Sequence, residues 1–231
     1  MAHIPLITKP VRGWRGIVLP LGAGLLALAG AHLAYRISAP PFTVSIVWSL
    51  VFPLIIAFGY GTRGACIASL PAGIIPFMLW SNNGWACLPA SLIYMLIICL
   101  TGYLASARRK AFPLSAILPF LLPALTLLEI PLFPPLMALN PPAWAEHALT
   151  GIDQQILIGI AIKDMLTFFI YMLVAAHLIR IGLVRTILGL PRIPEHRYAG
   201  GIFAVSFIGG FIVLSVYTLL SDILVNDSPA I

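Results

Sequence analysis

"QILIGIAIKDMLTFFIYMLVAAHLIR", residues 155–180, is a long apolar run broken near its middle by one adjacent charged pair, Lys163 and Asp164. At 1.5 Å per residue a helix of this length covers the roughly 30 Å hydrocarbon core of a bilayer. An uninterrupted apolar run of about 18 residues or more reads as a membrane-spanning helix. The rest of the chain repeats the pattern. Apolar segments fall at roughly 16–36, 42–60, 64–80, 85–105, 113–133, 155–180 and 200–224. They lack the period-two alternation of barrel strands, and a bilayer otherwise admits only helices. The sequence therefore predicts an all-α, polytopic transmembrane bundle of about seven spans, with residues 1–231 as a single integral-membrane domain.

Composition supports this. The chain is 61% hydrophobic and 9% charged, against roughly 25% charged in an ordinary globular domain. The net charge of +6 comes from basic residues spread between apolar runs. That argues against a nucleic-acid partner and for the lipid bilayer.

The basic residues set an orientation. With the N-terminus inside, Lys9, Arg12, Arg15, Arg63, Arg108, Arg109, Lys110, Arg180, Arg185, Arg192 and Arg197 are cytoplasmic and Arg36 stands outside. This is a strong positive-inside bias. Lys9, Arg12 and Arg15 precede the first run, which continues to about residue 37 without a small-residue cleavage site, so it reads as a retained span. Seven spans then leave the C-terminus outside, and the expectation is truncation before an eighth span. The expected location is the bacterial inner membrane, multi-pass.

Prolines punctuate the spans. Pro53, Pro71, Pro76, Pro119 and Pro123 each remove a helix hydrogen bond. "GYGTRG" joins the second and third spans as a tight hairpin. The outer loop 131–154 begins with Pro131, Pro134, Pro135, Pro141 and Pro142, a stiff and extended front half. "PPAWAEHALTGI" then reads as a short helix with Trp144 at the interface.

Few residues offer chemistry. Cys87 and Cys99 lie twelve positions apart on one helix, about 18 Å along its axis, too far to bridge. With Cys66 they read as small packing residues. HExxH, GxSxG, Walker and CxxCH motifs are missing, and no metal-ligand spacing occurs. The chain predicts no enzyme, and the residues name no cofactor.

Lys163 and Asp164 remain. They fall about 12–14 Å from the start of their span, near the bilayer midplane, where an ionisable group costs roughly 2.5–3.5 kcal/mol on insertion scales. Neighbouring side chains point about 100° apart on a helix, so separate partners, or a water-filled pocket, are expected for the two. Glu129 could reach Lys163, and Tyr171, Tyr94, Thr126 and Thr167 could supply hydroxyls. The group is either an internal polar clamp or a ligand-, ion- or proton-sensing centre.

Residues 42–110 resemble the membrane-embedded, MASE-type sensor regions of bacterial histidine kinases and diguanylate cyclases. The similar features are Trp48 and Pro53, the glycines Gly59, Gly61 and Gly64 around a hairpin, a small-residue third span, an outer "NGW" and a basic "RRK". The resemblance implies a sensory input module, a homodimer, and a kinase or cyclase domain beyond Ile231. The expected site is Lys163, Asp164, Glu129, Tyr171 and Trp48, taking a small or lipophilic ligand. A small transporter or a transporter's substrate-binding subunit is the alternative, and a structural subunit of a membrane complex is a third.

Overall fold

The structure is a computed structural model, and it describes residues 13–39, 42–107, 121–139, 141–145 and 147–191. The seventh expected span, 200–224, lies outside the described residues, as do the first residues of the fifth. The described chain is mostly helical. Four stretches are long and apolar enough to cross a membrane: Arg15–Leu33, Trp48–Leu79, Ser81–Ser106 and Gln154–Leu178.

Helix α1 (Arg15–Gly30) continues through a single 3-10 turn, Ala31–Leu33. Two short antiparallel strands follow, β1 (Tyr35–Ala39) and β2 (Phe42–Ile46), with Arg36 opposite Ser45. This corrects the expectation that the second span begins at residue 42. "FTVSI" carries three β-branched residues and follows Pro40 and Pro41, so its local preference is extended. Helix starts only at the turn Trp48–Leu50.

α2 (Val51–Ala72) is one helix in name and two in geometry. Gly61 has φ 70° and ψ −158°, outside helical space, and only glycine takes that conformation without strain. The chain folds back there. A Cβ on Gly64 would lie 3.2 Å from Ile56 Cγ2, eight residues earlier, which a straight helix would hold about 12 Å away. Both arms return to the same part of α1. Ser49 Oγ, at the start of the first arm, donates to Ala27 O at 2.7 Å, and a Cβ on Gly24 would lie 2.5 Å from Ala68 O in the second. The "GYGTRG" hairpin therefore forms. Its first arm, residues 48–60, is about 20 Å long, short of a bilayer core. The second arm continues past Gly73 and Ile74 into α3 (Ile75–Leu79).

A 3-10 segment, Ser81–Ala86, leads into α4 (Cys87–Ala107), which packs along the second arm of α2. Beyond it come the 3-10 turns Pro123–Leu128 and the short helix α5 (Glu129–Met137). Residues 131–137 are thus helical, not extended. Pro131 falls in the first turn, where its missing N–H needs no partner. Residues 141–145 and 147–153 are turns and irregular chain rather than the expected short helix.

α6 (Gln154–Leu178) is the span from which the fold was read. Asp153 caps it, its carboxylate accepting from Gln155 N at 2.7 Å and Ile156 N at 3.4 Å. Its buried face runs Leu157, Ala161, Asp164, Phe168, Tyr171 and Ala175, a three-to-four-residue stripe that includes the acid. α7 (Gly182–Ile187) closes the described chain.

The bundle has two distinct ends. At one, Tyr60 donates to Leu188 O at 2.6 Å, and a Cβ on Gly59 would lie 2.9 Å from Ile179. Arg15, Arg63, Arg180 and Arg185 gather there. Trp80, Trp85 and Trp144 mark the other end, with Trp85 and Trp144 in edge-to-face contact at 4.8 Å. The main apolar core lies between the ends. A smaller cluster, Ala86, Ala90, Phe133, Met137 and Leu157, seals the tryptophan end.

Candidate functional site

Lys163 is 2% exposed, Asp164 4% and Glu129 1%. Three ionisable side chains are therefore shut inside an apolar bundle. Lys163 and Asp164 pair directly, Nζ to Oδ1. This corrects the expectation of separate partners: the backbone directions diverge, but the four-carbon lysine stem bends back to its neighbour. Lys163 Nζ also donates to Ser45 O at 3.1 Å. The acceptor is a backbone group of β2, so the unexpected strand pair is what completes the lysine's shell. Non-helical backbone at such a place is tolerated because it is buried in protein. Lys163 Nζ further lies 5.8 Å from the centre of the Trp80 ring, within cation–π range.

Glu129 comes from the first turn of α5 and feels the charges of Asp164 and Lys163. Thr126, one turn earlier, fixes this segment on α6 by donating to Ala161 O at 3.2 Å. Glu129 Oε2 nevertheless has no hydrogen-bond partner, and neither do Tyr171 Oη and Ser45 Oγ. Tyr171 packs edge-to-face on Phe168 at 6.5 Å and interacts electrostatically with Asp164. Tyr94 closes the group. Its ring meets Phe168 at 4.8 Å and Trp80 at 6.2 Å, and Asp164, Glu129 and Tyr171 all act on it electrostatically.

Four of the five expected residues, Lys163, Asp164, Glu129 and Tyr171, thus come together. Trp48 stands apart. It is 44% exposed, its indole donates to Leu33 O at 3.2 Å, and its ring meets Phe52. It ties the start of α2 to the end of α1. Ser45 and Trp80 were missed by sequence reasoning. A backbone carbonyl leaves no trace in a sequence. Trp80 was visible only as one aromatic at the end of a span.

The site is off-centre. Lys163 lies about 14 Å from the start of α6 and about 24 Å from Ile179, towards the tryptophan end. The segment Ser81–Ala86, α5 and residues 141–145 and 147–152 cover that end, with Leu149 N donating to Asn82 O at 2.8 Å.

Two carboxyl groups face one ammonium group, and that ammonium group is already paired with Asp164. A buried charge left without a partner costs several kcal/mol. Glu129 adds a second carboxyl group, with an open Oε2, beside that pair. Among the described residues no cluster of three or more His, Cys, Asp or Glu could hold a metal ion. Comparison with known proteins finds no matching family model, no matching characterised protein and no matching solved structure.

Proposed function

We propose that this chain is a membrane-embedded sensory input module. Its stimulus acts at Glu129, Asp164 and Lys163, through one unit of positive charge taken up as a proton or a small cation. The carrying observation is the buried Oε2 of Glu129, unpartnered beside a pair that is already neutral. A clamp built only for stability would be satisfied in full, because a half-satisfied buried network is worse than an apolar one. Tyr171 Oη and Ser45 Oγ supply further open hydrogen-bonding capacity.

The signal is a shift between two packings. Filling Glu129 weakens its hold on Lys163 and so the lysine's grip on Ser45 O. That frees the strand pair, which leads directly into the first arm of α2. The N-terminus is cytoplasmic on this reading, supported by Arg15, Arg63, Arg180 and Arg185 sharing one end. A homodimer in the bacterial inner membrane, with a kinase or cyclase output beyond Ile231, belongs to the same proposal.

The test is a pair of variants fused to a reporter output. Glu129→Gln removes the acid without changing shape, and the module is expected to insert normally and stop responding to its stimulus. Lys163→Met is expected to alter output as well. Wild-type responses from both, at normal expression, would remove the site from the mechanism.

One observation favours a second reading, a small secondary transporter. Short helices that end inside the membrane commonly line transport sites, and the first arm of α2 is too short to cross a bilayer core. Uptake of a cation or proton by proteoliposomes, lost in Glu129→Gln, would favour it.

A further inference from the structure

The arginine end of the bundle is assembled from parts far apart in sequence. Arg15 opens α1, Arg63 follows the fold-back of α2, and Arg180 follows the end of α6; all three are exposed. Packing holds them at one corner. A Cβ on Gly189, in the turn after α7, would lie 3.7 Å from Arg15 Nη1. The residue before it, Leu188, accepts from Tyr60 Oη at 2.6 Å, and Arg63 lies just beyond Tyr60. A Cβ on Gly59 would lie 2.9 Å from both Ile179 Cδ1 and Leu190 Cδ1, which brings in Arg180, the residue after Ile179. Arg185 locks the corner from within. It is fully buried, and its guanidinium donates to Ile179 O at 3.3 Å and to Pro191 O at 2.5 Å, tying the end of α6 to the chain beyond α7. Among the described residues the carboxyl groups are those of Glu129, Asp153 and Asp164. Asp164, the nearer of the two on or capping α6, stands about 24 Å from Arg180 along that helix.

We propose that Arg15, Arg63 and Arg180 form a binding site for one anionic phospholipid. Its phosphate lies among the guanidinium groups, and its acyl chains run along the outer face of α1. Two observations select a lipid. The first is charge: three exposed cations share one corner, and the described acids lie in the other half of the bundle. A guanidinium fork matches phosphate oxygens and gives up its water more readily than an ammonium group, and basic clusters between helices take such headgroups. The second is continuity with an apolar surface. Trp14, beside Arg15, is exposed, and the Arg15 guanidinium lies 5.7 Å from its ring centre. An exposed tryptophan at the end of an apolar helix marks the level of the headgroups. From there α1 presents Ile17, Val18, Leu21 and Leu25 outward. A zwitterionic lipid brings its own cation to the arginines, and a free phosphate leaves the apolar face unused, so neither fits both parts. The bound lipid holds the start of α1, the fold-back of α2 and the end of α6 together. This site is separate from the one at Glu129 and does not depend on the sensory reading.

The experiment titrates the full chain, purified in a mild detergent, with phosphatidylglycerol, with phosphatidylcholine of the same acyl chains, and with inorganic phosphate, and reads the thermal midpoint. The midpoint is expected to rise with phosphatidylglycerol, less so in high salt, and not with the other two. Arg15→Gln, Arg63→Gln and Arg180→Gln are each expected to weaken binding about fivefold. Arg36→Gln, on β1, is expected to leave it unchanged. Wild-type affinity in all three variants would overturn the proposal, and so would an equal loss in Arg36→Gln. An equal rise with phosphatidylcholine, or with inorganic phosphate, would overturn it too. A second measurement uses the unmutated chain and stands even where a glutamine variant fails to fold. Phosphatidylglycerol with a photoreactive acyl chain is expected to cross-link within residues 14–25, in competition with phosphatidylglycerol and not with phosphatidylcholine. Cross-links spread evenly over the bundle would contradict a single site.

Discussion

Lys163 serves two masters. It neutralises Asp164 and acts electrostatically on Glu129, so its removal strands two buried carboxyl groups. Breaking one partner out of a buried ion pair costs about 3–5 kcal/mol. Lys163→Met is expected to lose that much stability in a detergent unfolding assay. Glu129→Gln keeps shape and removes charge, so it is expected to stay within about 1 kcal/mol of wild type. Equal losses in the two would mean that Glu129 is as well paired as Asp164. Ser45 gives a sharper contrast. The lysine uses its backbone carbonyl, and its buried hydroxyl has no partner. Ser45→Ala is therefore expected to be neutral, or stabilising by up to about 1 kcal/mol. At this scale the sequence was half legible. A lysine, two acids and a tyrosine in apolar runs stand out because burial of such groups is costly. Their pairing did not, because helical spacing fixes where a stem begins and not where a long flexible side chain ends.

At the scale of elements the molecule depends on two glycines. Gly61 takes a positive φ at the fold-back of α2, and Gly102 admits α2 against α4. Gly61→Ala is expected to cost about 1–3 kcal/mol from backbone strain. Gly102→Val should cost a similar amount by overpacking. Differential scanning of the purified variants measures both. The fold-back was legible in "GYGTRG", since three glycines within a few residues of a tyrosine and an arginine interrupt any apolar run. The strands and α5 were not. A window of apolar residues has the same hydropathy as strand or helix, so "FTVSI" vanished into a span. Prolines clustered at 131, 134 and 135 suggested an extended chain, yet tertiary packing of Phe133 and Met137 against Leu157 holds that segment helical.

The whole molecule is a bundle with unlike ends, and both the cap and the site lie at the tryptophan end. Arginines spread along the sequence gather at the opposite end because α1, the α2 fold-back and the end of α6 meet there. In a background without native cysteines, Arg63→Cys and Arg180→Cys are expected to react with a membrane-impermeant maleimide from one side of the bilayer, and Asp153→Cys from the other. The buried site then sits beneath the cap, with Glu129 Oε2 left without a hydrogen-bond partner. The measurement that tests this most directly is the thermal midpoint of the purified chain against proton and monovalent-cation concentration, wild type beside Glu129→Gln. A ligand that binds only the folded state stabilises it by about 1.4 kcal/mol per tenfold rise once in excess. The midpoint of the wild type should rise with one of these two concentrations, and that of Glu129→Gln should not. Parallel curves for the two proteins would contradict the assignment of Glu129 as the group that takes up the charge.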